Sequence, residues 1–477
     1  MLKARITLAV CITAVTAATV GASTAVSPAT ISAAAPSSAG STTAAAMVTV
    51  RPDAIRLPGA PTRGPSTTAE CEKTDGIACY QPSQLRAAYH LPALYAKGIT
   101  GKGATIMIVD SFGSPTIRAD LTAFDRQFGY PAPPKFTIIA PVGKIPAFDP
   151  GNTDMTGWAG ETTLDVEYAH ALAPGANILL VETPVSETEG VTGFPQIVRA
   201  EEYALAHYQV GVISQSFSAT EETFKSYAQL NSLRGAYKDA SGRHVTVLAA
   251  SGDAGATDYQ SNETNYYARP VTSWPDSDPL VTGVGGTQLR PHGAGYTSVA
   301  WNDTYDRAWT LYAEGSSDPA PAASGGGKSE FFARPSYQNG VGAVTGAHRG
   351  VPDISMSGAC DGSVTVYGTY QTSQAGWSLA CGTSEATPEF AAVVALADQV
   401  AGHPLGVINP ALYRLDAQHA PGIVDVTSGN NTVTFYRGAG TKPVTVTGYP
   451  AGKGYDLVTG VGTVNAQQLV YELAGKR

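Results

Sequence analysis

Four runs along the chain are almost continuously apolar and rich in β-branched residues: 104–110 (ATIMIVD), 177–181 (NILLV), 210–217 (VGVISQSF) and 244–250 (HVTVLAA). A strand with one wet face alternates apolar and polar positions, whereas runs of this kind predict strands covered on both faces, as in a parallel sheet. Longer helix-compatible segments separate the runs, with room for crossover connections. The pattern predicts an α/β fold, a mostly parallel central sheet flanked by helices on both faces. Residues 160–174 (GETTLDVEYAHALAP) read as one of those helices, and residues 324–327 (SGGG) read as a loop. No Pro- or Gly-rich linker divides 75–470, so a single large domain is expected over residues 71–477.

The N-terminal 70 residues break the pattern. Lys3 and Arg5 precede an apolar stretch from Ile6 to Val20, followed by Ala22, Ser23 and Thr24. That order predicts a signal peptide over residues 1–24 and a secreted, extracellular protein with no membrane association after its removal. Residues 25–70 are dominated by Ala, Ser, Thr and Pro, and predict a low-complexity disordered leader.

Composition narrows the classes further. With 43% hydrophobic and only 14% charged residues, the chain is expected to bury a large core. A formal net charge of −9 without any basic run argues against a nucleic-acid partner and suits secretion or an acidic medium. Removal of Cys11 with the signal peptide leaves four cysteines, an even number that favours disulfides in an exported chain. Cys71 with Cys79 and Cys360 with Cys381 are the nearest pairs; other pairings, or buried free thiols, satisfy the count equally.

The clearest chemical signal is Gly382-Thr383-Ser384, followed by Pro388 and the apolar run from Phe390 to Val400. It predicts a serine at a helix start, where backbone N–H groups and the helix dipole favour a developing oxyanion. Pro388 is expected near the first turn. Ser384 as a plain N-cap is the alternative. A serine nucleophile needs a base. At about 100° per residue, Glu161 and Asp165 lie about 40° apart on one helix face, and His170 about 180° from Glu161. Two carboxyls so placed either share a proton, one acting as base, or both face solvent. Asp253, in Ser251-Gly252-Asp253-Ala254-Gly255 after the fourth apolar run, is either a turn residue or a protonated carboxyl that donates to an oxyanion.

Taken together these segments resemble the sedolisin family of serine-carboxyl peptidases over about residues 81–470. The family's helix motif stands as Glu161-Thr-Thr-Leu-Asp165-Val-Glu, its S-G-D-x-G as Ser251 to Gly255 and its G-T-S-x-x-x-P as Gly382 to Pro388, in the family's order. The segments 273–287, 324–332 and 349–355 look alike too. The resemblance implies a subtilisin-like fold and an acyl-enzyme peptidase acting on proteins or peptides as a monomer. In it Ser384 is the nucleophile, Glu161 its base, Asp165 the residue that holds Glu161, and Asp253 the oxyanion donor, with an acidic optimum. It also implies one structural Ca²⁺ near the C-terminus, taking side chains of Asp425 and Asp456 and carbonyls of Val426, Gly452 and Gly454.

Three departures accompany the resemblance. Family members carry a long folded prodomain, whereas only residues 25–70 are expected ahead of the catalytic part here. Phe217 stands where many members have Trp, and Cys381 and Glu385 flank the nucleophile where small residues are common. Two rival readings follow: a subtilisin-like triad of Asp110, His170 and Ser384 with a neutral or alkaline optimum, and a catalytically silent binding protein on a peptidase scaffold.

Overall fold

All four apolar runs become strands of one sheet. The computed structural model describes residues 55–57 and 64–476, apart from 294, 314–317, 373–374 and 438–440. The expected signal peptide and most of the expected leader lie outside the described residues. The sheet strands are β1 (Thr105–Ser111), β2 (Phe136–Ile139), β3 (Asn177–Thr183), β4 (Val212–Gln215), β5 (Thr246–Ala250), β6 (Thr282–His292), β7 (Gly295–Ala300) and β8 (Ile354–Ser357). Their order is β7-β6-β5-β4-β1-β3-β2, and β8 also pairs with β6. Every pairing is parallel except the β6–β7 hairpin.

Alternate side chains of each strand enter different cores, which explains why the runs are apolar throughout. Ile106, Ile108, Ile178, Leu180 and Leu248 join one cluster; Met107, Val109, Leu179, Val181 and Val247 join the other. The first cluster is closed by α2 (Thr153–Leu172) and α5 (Thr383–Ala401), with α1 (Ile117–Phe128) beside them; the second by α3 (Phe194–His207) and α4 (Gly235–Gly242). Each fully buried aliphatic side chain contributes roughly 1.5–3 kcal/mol relative to exposure. Truncating Ile108 to Ala would leave a cavity and cost about 2–5 kcal/mol.

Two local boundaries differ from the sequence reading. Helix α2 starts two turns earlier than Gly160, because Asn152 caps it by accepting from the N–H groups of Asp154 and Met155. Order also begins before Cys71. Ile55–Leu57 pairs antiparallel with Leu379–Cys381. A helix over Thr68–Thr74 is fixed by a capping box, in which the Glu70 N–H donates to Thr67 Oγ1 and the Thr67 N–H to the Glu70 carboxylate. Cys71 is bonded to Cys79 and Cys360 to Cys381, the nearest-neighbour pairing. Among the described residues no helix is long and apolar enough to cross a membrane.

Candidate active site

Helices α2 and α5 pack side by side on one face of the sheet, which brings their candidate residues together. Glu161 and Asp165 are both fully buried, so the solvent-facing alternative does not hold. Ser216, just past the end of β4, donates to Asp165 Oδ1 at 2.8 Å and lies 3.4 Å from the Ser384 carbonyl oxygen. That carbonyl is open for a reason in the sequence. Pro388, four residues on, has no N–H to return. It stands inside α5 in the second turn, not the first, and the helix tolerates it because Ser216 approaches the freed carbonyl.

Ser384 is the second residue of α5. The preceding Gly382 has φ +117°, in the left-handed region that favours glycine, and so turns the chain abruptly from the strand Gly376–Cys381 into the helix. The Ser384 hydroxyl is buried, and among the described groups it has no hydrogen-bond partner. Asp253 follows β5 in the loop at the C-terminal end of the sheet. Its Oδ1 accepts from the Thr383 N–H at 2.7 Å and from Thr383 Oγ1 at 2.8 Å. Thr383 Oγ1 in turn accepts from the Gly252 N–H at 3.1 Å. Asp253 Oδ2 is left buried and without a partner.

The electrostatics follow from this crowding. Burial pushes Asp165 well above the ordinary carboxylate range, the charges of Asp110 and Glu161 push it further, and the Ser216 bond opposes them. Burial likewise raises Asp253 well above its usual range against the two Thr383 bonds, with Glu161 and Asp258 adding to the rise. Glu161 is thus the carboxyl that both aspartates sense. Three carboxyls this close in a dry site cannot all be ionised, so some hold protons over a wide range of pH.

Residues that the motifs left without a role complete the site. Ser216 and Thr383 fix the orientation of Asp165 and Asp253. Ser216 falls inside the third apolar run and Thr383 inside the G-T-S motif, but neither spacing nor type marks them. Asp110, at the end of β1, is fully buried with its acidity weakened by that burial; it lies beside Asp165, not beside a histidine. His170 is fully buried on the other side of α2, where Nε2 meets the Pro131 carbonyl at 2.8 Å and Asp125 Oδ1 at 3.2 Å. The Asp110-His170-Ser384 arrangement therefore does not form. Phe217 packs edge-on against Trp158 of α2, whose indole N–H donates to Ser186 Oγ at 3.1 Å.

The C-terminal acidic residues meet at a separate place. The Gly454 N–H donates to Asp425 Oδ2 at 3.0 Å and the Gly452 N–H to Asp456 Oδ2 at 2.9 Å, so one glycine-rich loop is held between two carboxylates. Asp456 Oδ1 accepts from the N–H groups of Val458 and Thr459.

The serine at a helix start and the parallel sheet behind it define a subtilisin-like peptidase scaffold, and residues 151–411 match the model of the subtilase family. Kumamolisin of Bacillus sp. (strain MN-32) is 29% identical over 400 residues, covering 80% of this chain and 62% of that protein. Tripeptidyl-peptidase 1 of Homo sapiens is 30% identical over 372 residues, covering 74% and 57%. The solved structure of Pseudomonas sedolisin, a serine-carboxyl proteinase complexed with two molecules of pseudo-iodotyrostatin, superposes with a TM-score of 0.64 at 25% identity over 83% of this chain and 97% of that one. Within the subtilase class, the chain belongs to the sedolisin family. It spans about three fifths of the length of the curated relatives it matches.

Proposed function

We propose that this protein is a secreted serine-carboxyl peptidase, active in acid, that hydrolyses peptide bonds in proteins or peptides through an acyl-enzyme on Ser384. The observation that carries the reading is the meeting of Glu161, Asp165 and Asp253 around the start of α5, with Asp253 anchored through Oδ1 to the residue before the serine. The Ser384 hydroxyl attacks the scissile carbonyl carbon while Glu161 takes its proton. Asp165, held by Ser216, orients Glu161. Asp253, protonated on Oδ2, donates to the oxyanion beside the backbone N–H groups at the helix start. Glu161 returns the proton to the leaving amine as the C–N bond breaks. Water then attacks the acyl carbon, giving its proton to Glu161, and Ser384 recovers its hydrogen as the acid product leaves.

This chemistry needs an ionisable carboxyl base and a carboxyl that keeps its proton, and both conditions hold together only in acid. At the C-terminal loop we assign Asp425 and Asp456, with the carbonyls of Val426, Gly452 and Gly454, as holders of one Ca²⁺; the donor set is all oxygen, and the two carboxylates already flank one loop. The ion would neutralise two carboxylates and tie the chain ends of that loop, with no part in the chemical step.

The test is hydrolysis of denatured protein from pH 2.5 to 9 by the full mature chain and by Ser384→Ala and His170→Ala. The expected result is activity confined to acid, abolished in Ser384→Ala and retained in His170→Ala. Loss in both variants with a neutral optimum would return the assignment to a histidine base, and a folded wild type silent at every pH would refute the peptidase reading.

A further inference from the structure

Two glutamates on the nucleophile's own helix have no part in the steps above. Glu385 follows Ser384 directly and Glu389 stands one turn on, so at about 100° per residue they lie about 100° and 140° round the helix from the serine. Both are fully buried, and among the described groups neither carboxyl oxygen of Glu389 has a hydrogen-bond partner. The helix that carries them contributes Ala386, Phe390 and Val393 to the larger apolar cluster.

The groups that face the pair compensate a negative charge only weakly. The Ser357 hydroxyl of β8 is within hydrogen-bond reach of Glu385 and opposes its rise in part. Tyr80 of the strand Cys79–Tyr80, Tyr89 at the end of the helix Pro82–Ala88, and Tyr168 of α2 are the other ionisable groups that feel it. The Tyr80 hydroxyl is committed to the Leu289 carbonyl at 2.9 Å and that of Tyr168 to the Thr365 carbonyl at 2.9 Å, while the Tyr89 hydroxyl accepts from the Ser357 N–H at 2.6 Å. No Lys, Arg or His acts on either glutamate. A buried carboxylate with no cation is heavily disfavoured, one hydroxyl donor to Glu385 offsets only part of that cost, and two carboxylates a turn apart repel. Burial raises both well above the ordinary carboxylate range, and Glu385 raises Glu389 further.

The helix is also weakest at this point. Pro388 lies between the two glutamates and removes the bond that would tie residue 388 back to Ser384, so the seat of the first turn depends on side-chain packing and on the Thr383 bonds to Asp253 and Gly252. We propose that Glu385 and Glu389 form a protonation lock: the first turns of α5, and Ser384 with them, stay seated against β8 and α2 only while the pair keeps its protons. This rests on the peptidase reading of Ser384 and assigns its regulation, disarming as the medium turns neutral.

The sign follows from linkage. Both acids bind protons more tightly folded than unfolded, so their stabilisation is complete below the unfolded carboxylate range, near pH ~4.3, and is lost as pH rises through the raised folded values. Across that window, release of two protons on unfolding multiplies the unfolding constant by up to about 100 per pH unit. Asp110, Asp165 and Asp253 add a dependence of the same sign, so a comparison between variants isolates the pair.

The experiment is urea unfolding, followed by circular dichroism between pH 4 and 8, of Ser384→Ala and of Ser384→Ala carrying Glu385→Gln and Glu389→Gln. The Ser384→Ala background removes self-digestion and makes the result independent of whether the chain is a peptidase. The amides keep the shape and do not titrate. The expected result is a pH dependence shallower in the amide variant by up to about 100-fold per pH unit, and hydrogen exchange at pH 7.5 that is fast over residues 382–391 in the parent and slow in the variant. Parallel unfolding curves, or equal exchange of that segment, would overturn the lock. If the double amide does not fold, Glu389→Gln alone reads half the effect, up to about tenfold per pH unit, and an unchanged slope in it overturns the proposal.

Discussion

Asp253 offers the sharpest test of the proposed mechanism, because its two oxygens have different tasks. Oδ1 accepts two hydrogen bonds from Thr383, while Oδ2 is free of partners and must carry a proton to act as a donor. In Asp253→Asn the amide oxygen takes over the Oδ1 bonds and the amide nitrogen supplies a donor at the Oδ2 position that does not titrate. In Asp253→Ala both tasks are lost. Removing one oxyanion donor costs about 2.7–4 kcal/mol of transition-state stabilisation, or about 10²–10³ in kcat. The Ala variant also leaves the Thr383 N–H buried without its acceptor, which lowers stability by about 1–3 kcal/mol. The wild-type acid form is present below its raised pKa and loses its donor as pH rises through it, so Asp253 shapes the alkaline limb of kcat. The assay is kcat against pH on a soluble peptide substrate, with thermal unfolding alongside. The expected result is a large loss at all pH in Ala, and in Asn a small loss with the alkaline limb moved to higher pH. An Asn variant as inactive as Ala, or one with an unchanged alkaline limb, would refute the assignment of Asp253 as a hydrogen-bond donor.

Two further outcomes are expected. Ser216→Ala removes the donor to Asp165 and the hydroxyl beside the Ser384 carbonyl; a hydrogen bond to an uncharged carboxyl is worth about 0.5–1.5 kcal/mol, so kcat should fall about 2- to 10-fold with KM nearly unchanged, which steady-state kinetics reads directly. Chelation of calcium should lower the melting temperature of the full chain by several degrees, and Asp425→Asn with Asp456→Asn should lower it similarly and abolish the effect of the chelator; an unchanged melting temperature on chelation would remove the ion from the account.

The sequence determined the layered α/β arrangement, because an apolar run with no polar alternation has to bury both faces, and strands β1, β3, β4 and β5 lie where those runs are. It also determined which face of α2 carries Glu161 and Asp165, since helical periodicity alone sets His170 on the other side, where it meets Asp125. The sedolisin membership likewise rests on motifs legible in the chain. Other features depend on long-range packing. Whether the α2 carboxyls are dry or wet, the spacing left open; the packing of α5 beside α2 buried them. Asp110 reads as a triad aspartate from its strand-end position, and only the neighbouring strand and helix make it a partner of Asp165. Ser216 is 168 residues from the carbonyl it approaches, a separation at which no local signal exists. The role of Glu385 and Glu389 has the same origin, because a glutamate's side chain is the same in sequence whether water or a dry interior surrounds it, and the protonation state it needs follows from which of these the fold supplies.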